Sequence, residues 1–282
     1  FYISDYVNYF FEIMLRINKS DRDHFHKHGW VQVSMNLEKN FIEECYESLK
    51  SLEQKAKDIN YPLGRTYHPH LFNSNQAGIE APFNKLLMDD NLLELFKKIK
   101  LGGFVRDLKK WESTSCELAR LFTMGNFNYR GHWHRDIESY DGDIMGANEV
   151  KVVLYLKDQK GFRIWKPQYD YWGSHPVIKS DKLTPFDNSS GLLPLKTSQK
   201  FYDVIEGKAG NALFFCPGVM HQGSVASKRL DLHMKFINPL EDEEKKSKMN
   251  NYLVNTFQDF YIPNDYSYDF NPLEDSISNL LA

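Results

Sequence analysis

The chain has 282 residues, and its 35 basic and 38 acidic side chains leave a formal charge of −3. It therefore lacks the bulk positive charge that holds a polyanion, and nucleic acid is not an expected partner. The 41% hydrophobic and 26% charged content excludes a disordered chain, no apolar run reaches the roughly 18 residues of a membrane span, and Cys45, Cys116 and Cys216 are too widely spaced for a disulfide framework or a zinc knuckle.

Phe1 to Ile17 is apolar and aromatic but interrupted by Asp5, Glu12 and Arg16. Without a basic start or a small-residue cleavage site it does not read as a signal peptide. The first residue is Phe, so an upstream segment is expected. The unpaired cysteines fit a reducing, cytoplasmic compartment. Asp23 to His28 reads as a short helix ended by Gly29, with a strand following to Val33. Asn36–Asp58 places Leu37, Phe41, Ile42, Cys45, Leu49 and Leu52 at spacings mostly of three and four, which predicts an amphipathic helix. Asp90–Ile99 predicts another, with Asp90 as cap and Lys97 and Lys98 at its C-terminal end. From Glu117 the period shifts towards two, and strands are expected at Glu117–Met124, Glu149–Leu156, Gly161–Trp165, Phe201–Ile205, Asn211–Cys216 and Arg229–Ile237. Helices followed by strands predict an α+β, mostly β, fold with the helices on one face of a sheet. One domain over 1–282 is expected: a helical part to about 115, a barrel core over about 116–240 and a C-terminal extension over 241–282.

The stretch Asn128-Tyr-Arg-Gly-His-Trp-His-Arg-Asp136 carries the clearest chemistry. In extended chain His134 and Asp136 point to the same side, and an imidazole beside a carboxylate begins a ligand face for a divalent metal. His221, just past an apolar strand and the Pro217-Gly218 turn, is the candidate third ligand. Two histidines and a carboxylate leave coordination positions open, as in non-haem Fe(II) oxygenases. Eight residues later Arg229 opens the last strand, and its planar fork suits two-point capture of a carboxylate.

The ordered set of His134, Asp136, His221 and Arg229 resembles the Fe(II)/2-oxoglutarate-dependent oxygenases, in particular the phytanoyl-CoA dioxygenase-like branch. Val150 to Leu156 followed by Gly161, the Gly173-Ser174-His175 segment, and the entry from Phe25 to Val33 ahead of the helix from Asn36 extend the resemblance over about residues 20–240. It implies His134, Asp136 and His221 as iron ligands and Arg229 as partner of the distal carboxylate of 2-oxoglutarate. The implied fold is a double-stranded β-helix, a jelly roll of the cupin-like barrel kind. The implied activity is oxidation of a C–H bond of a small-molecule substrate by O2, with release of succinate and CO2. The link from Gly161 to Gly173 is more aromatic than is usual in the family. Asp136 stands where halogenating relatives lack a carboxylate, which disfavours halogenation.

His132, His134, Glu138 and His221 also resemble a cupin ligand set, so a metal enzyme without 2-oxoglutarate is the competing expectation; a non-catalytic barrel is a third. Arg229 and the strand from Val150 have no role in the cupin reading. Lys151 and Tyr155 are candidate cosubstrate contacts, and Arg130, Trp133, Arg135 and Trp165 candidate substrate-pocket residues. His24, His26 and His28 read as a solvated helix start. On the last strand Arg229, Asp231, His233 and Lys235 share one face. That face reads as solvent-exposed, with Arg229 best placed to reach the interior.

Overall fold

The computed structural model describes residues 17–58, 78–82, 89–124, 149–166, 199–223 and 230–238. Among these, the helices are α1 (Lys19–His28), α2 (Lys39–Asp58), α3 (Asp90–Ile99) and α4 (Leu101–Lys109). The strands are β1 (Trp30–Ser34), β2 (Gly78–Pro82), β3 (Ser115–Met124), β4 (Glu149–Tyr155), β5 (Gln159–Trp165), β6 (Tyr202–Gly207), β7 (Asn211–Phe215), β8 (His221–Gln222) and β9 (Leu230–Ile237), with a 3-10 turn at Gln199–Phe201.

The helix ends follow local chemistry. Asn18 accepts the Asp21 amide at 2.8 Å to cap α1, and Gly29, left-handed at φ 76°, closes it by donating its amide to Phe25 O. The predicted helix from Asn36 begins instead at Lys39, because Asn36 is itself left-handed (φ 50°) and donates its amide to Ser34 Oγ. Helix α4 was not expected. Gly102 and Gly103 argue against helix, but burial of Leu101, Phe104, Val105 and Leu108 outweighs them, since a fully buried side chain of this size contributes about 1.5–3 kcal/mol.

Six strands form an antiparallel sheet in the order β1-β7-β4-β9-β3-β2, and three form a smaller antiparallel sheet in the order β6-β5-β8. In the larger sheet Val152 of β4 lies between Phe214 of β7 and Met234 of β9. Their face, with Val150, Leu154, Ala212, Leu232 and Phe236, is wholly buried and receives the helices: Phe104 of α4 stacks on Phe214 at 6.1 Å. The opposite face meets the smaller sheet. There Phe215 packs on Phe162 of β5 at 5.2 Å, and the Tyr155 ring lies over Gly207 of β6, where an added Cβ would sit 2.7 Å from it. At one edge Gln32 of β1 donates to the Glu206 carbonyl of β6 at 2.9 Å, tying the two sheets together. Among the described residues no helix is long and apolar enough to cross a membrane.

The expected strand starts at Gly161 and Phe201 shift for backbone reasons. β5 begins two residues earlier, at Gln159, through a bulge before Phe162 with Gly161 at φ 69°. β6 follows the 3-10 turn and so starts at Tyr202. Gly207→Ala should drive a methyl into the Tyr155 ring and lower stability by about 1–3 kcal/mol in urea unfolding. Gly218→Ala, where a Cβ meets nothing within 4 Å, should change it by less than about 0.5 kcal/mol.

Candidate functional site

β7 ends in the turn Cys216-Pro217-Gly218-Val219, closed by the Val219 amide on Cys216 O at 3.1 Å. Two backbone bonds anchor this turn: Cys216 donates to Gly29 O at 2.9 Å and Trp165 donates to Met220 O at 3.0 Å. The chain then enters β8, with His221 in register with Ile164 of β5. The imidazole is 3% exposed. It lies nearly parallel to Phe162 at 5.5 Å and against Phe215 at 4.9 Å.

His221 Nδ1 is 2.9 Å from the Val219 carbonyl oxygen. A carbonyl only accepts, so Nδ1 carries the proton, and in the neutral ring Nε2 holds the lone pair. Metal-binding histidines are oriented in this way, with one nitrogen donating to a carbonyl and the other directed at the ion. The donor set at His221 therefore fits a metal ligand.

The face of the larger sheet that meets His221 is the polar face of β9, and it is not solvent-exposed as expected. Asp231 is 0% exposed and Lys235 also buried. Strand alternation places these groups between the sheets, because Asp231 is in register with Tyr155 and Lys235 with Lys151. Two lysines directly opposite repel, and the Glu149 carboxylate, 3.0 Å from Lys235 Nζ, relieves this. Asp231 Oδ2 lies 3.5 Å from His233 Nε2. Lys151 is also in register with Phe215, the residue against His221. Tyr155 stands four residues further along β4, about 13 Å away at strand rise, at the Asp231 end.

Trp165 points the other way. It alternates with Ile164, the partner of His221, so it occupies the opposite face of the smaller sheet, where it clusters with Tyr202 and Met220 and stacks on Phe201 at 5.6 Å. Arg163 shares that face, donating to Gln222 Oε1 at 3.0 Å. His134, Asp136, Arg229, Arg130, Trp133 and Arg135 lie outside the described residues, as do His132, Glu138 and Gly173 to His175. Among the described residues no group of three His, Cys, Asp or Glu side chains could hold a metal ion. Cys45 and Cys216 are buried and free; burial pushes the Cys45 thiol up to about 12 and that of Cys216 also upwards, so both are unreactive packing residues. Phe162, Phe215 and the Val219 carbonyl were not among the expected site groups. Phe162 follows Gly161 on β5 and Phe215 ends β7, while Val219 lies in the turn after Pro217-Gly218.

No protein-family model matches the chain, and no curated protein matches it significantly. Solved structures do. The non-heme alpha ketoglutarate dependent carbocyclase SnoK from nogalamycin biosynthesis aligns at 10% identity with a TM-score of 0.57, over 82% of this chain and 90% of that one. The epimerase SnoN, in complex with Fe3+, alpha ketoglutarate and nogalamycin RO, aligns at 10% identity and 0.53, over 78% and 83%. HygX from Streptomyces hygroscopicus, with nickel and 2-oxoglutarate bound, aligns at 12% identity and 0.54, over 80% and 88%. At these identities the likeness is one of fold.

The buried Glu149–Lys235 pair should behave asymmetrically. Lys235→Met alone removes a cationic partner of a buried carboxylate and should cost about 3–5 kcal/mol, whereas the double change Glu149→Leu with Lys235→Met should recover most of that loss. Urea unfolding of the two single variants and the double variant measures it.

Proposed function

We propose that the chain is an Fe(II)/2-oxoglutarate-dependent oxygenase that oxidises a C–H bond of a small molecule with O2, releasing succinate and CO2. In this reading it is a single domain built on a double-stranded β-helix and is closest in kind to the phytanoyl-CoA dioxygenase-like branch. The observation that carries the proposal is His221, buried between two rings with its tautomer set by the Val219 carbonyl, so that Nε2 is the coordinating nitrogen. The fold likeness to SnoN and HygX, which are described with alpha ketoglutarate or 2-oxoglutarate and a metal, supports the cofactor assignment.

His134, Asp136 and His221 would hold the iron, and Arg229 would take the distal carboxylate of 2-oxoglutarate. Bound iron would supply the redox centre at which O2 is activated with electrons from the 2-oxo acid. The rest falls to the protein. Phe162 and Phe215 keep water from the buried side of His221 and fix its ring plane, which limits the loss of orientation that catalysis cannot tolerate. Lys151 stands in register with Phe215, and Tyr155 with Asp231, two residues after Arg229 in the chain. Trp165 lies on the other face of the smaller sheet from His221, and Arg130, Trp133 and Arg135 remain the pocket candidates. The near-neutral charge agrees with a small-molecule substrate rather than a polyanion, and the cytoplasm is the proposed compartment.

Uncoupled succinate release should require Fe(II) and 2-oxoglutarate together. His221→Ala should abolish iron retention. Arg229→Gln should keep iron but raise the half-saturating 2-oxoglutarate about tenfold to a hundredfold, the equivalent of one lost charge-assisted hydrogen bond. Glu138→Ala should leave iron binding unchanged. Iron lost in Glu138→Ala, with no dependence on 2-oxoglutarate, would instead establish the cupin-type enzyme.

A further inference from the structure

We infer that His24 and His28 form an acid-sensitive latch that holds α1 on β1 and, through it, steadies the turn that carries His221. The two histidines are four apart on α1 and so share a face. Their rings stack at 4.3 Å and 23°, and His24 meets the Trp30 ring edge-on at 4.6 Å. His24 Nε2, His28 Nδ1 and Trp30 Nε1 are all buried without a hydrogen-bond partner. A doubly protonated ring here must set a buried N–H against no acceptor, and protonating both rings places two cations about 4 Å apart. Among the described residues no group of three His, Cys, Asp or Glu side chains could hold a metal ion.

The charges around the pair set its direction. Burial, and then the mutual effect of His28, hold His24 below the ordinary histidine range. Burial and Lys27 do the same to His28. On α1, Asp21 opposes the shift of His24 and Lys27 adds to it. From β6, Asp203 opposes the shift of both rings, while itself lying 3.7 Å from Lys166. From the α4 side, Lys109 and Lys110 act on His26, whose lowering is again led by burial and is opposed by a backbone bond at Leu108. Folded chain thus binds fewer protons on these rings than unfolded chain. The latch is intact above about pH 6.5, the ordinary histidine value, and is lost as pH falls below it.

Two routes connect the latch to His221. Trp30 is in register with Phe215, whose ring lies against the imidazole. Gly29, the α1 cap, accepts the Cys216 amide, Cys216 O accepts the Val219 amide, and Val219 O accepts His221 Nδ1–H. The importance of His221 rests on the proposed function; the latch itself does not.

The test is amide hydrogen exchange of the metal-free full chain, corrected for intrinsic rate, at about pH 7.5 and about pH 5.5 on either side of the ordinary histidine value. In the wild type, residues 19–34 and 211–222 should lose protection together at the lower pH. His24→Phe with His28→Phe keeps stacked rings without the titration and should retain protection in both segments. Its folding equilibrium constant should also fall less steeply with acid, by up to about tenfold per pH unit for each histidine removed. His28→Phe alone serves if the double variant does not fold: the NMR titration midpoint of His24 should then rise, because its cationic neighbour is gone. The same pH dependence in wild type and variants would overturn the latch. Opening of 19–34 with 211–222 still protected would overturn its link to His221. Since iron and 2-oxoglutarate are absent, neither result depends on the oxygenase reading.

Discussion

The antiparallel register of β4 with β7 and β9 is the constraint on which the rest of the structure depends. Side chains alternate strictly along a strand, so this register sorts each residue of the central sheet to one side or the other. Val152, Phe214 and Met234 fall on the side that takes the helices. Lys151, Phe215 and Lys235 fall on the side that meets the smaller sheet. A slip of β9 by one residue would put Asp231 and Lys235 against the helices and Leu232 and Met234 on the side of the smaller sheet. The same arrangement supplies both the core and a polar interior face.

That interior face is costly to build, which is a reason to look for its use. Buried Glu149, Lys235 and Asp231 are tolerated only because each carboxylate has a cationic or protonatable neighbour. A purely structural core would be served as well by apolar side chains of the same volume. In the proposed reading a short anionic cosubstrate near His221 would give Lys151 and its neighbours a chemical purpose, and the two rings against His221 would give the site the rigidity that ligand geometry requires.

Much of the strand pattern was legible because β9 alternates apolar and polar residues while β4 and β7 are short apolar runs of strand length. Gly29 was legible as the end of α1, but the cap of α3 is Asp89, which accepts the Leu92 amide at 3.0 Å, and not Asp90 as expected. The start of α2 was misplaced because the left-handed Asn36 leaves little trace in hydrophobic spacing. Helix α4 was hidden by Gly102 and Gly103, whose local preference gave way to tertiary burial. The polar face of β9 was misread for a deeper reason: alternation says which residues share a face but not which face is inside. The same limit applied to Trp165, whose aromatic character suggested a pocket although its parity with Ile164 sends it away from His221. His24 and His28 read as solvent-exposed because the sequence gives no sign that Trp30 folds back on them. The position of His221, just past an apolar strand and a Pro-Gly turn, was legible. The carbonyl that sets its tautomer was not, since backbone contacts leave no residue signature.

The most direct measurement of the central claim is an anaerobic absorption titration of the full chain with Fe(II) and 2-oxoglutarate. A weak visible charge-transfer band should appear only when both are present, be absent in His221→Ala, and need more 2-oxoglutarate in Arg229→Gln. A folded, iron-loaded protein that shows no band at saturating 2-oxoglutarate would contradict it.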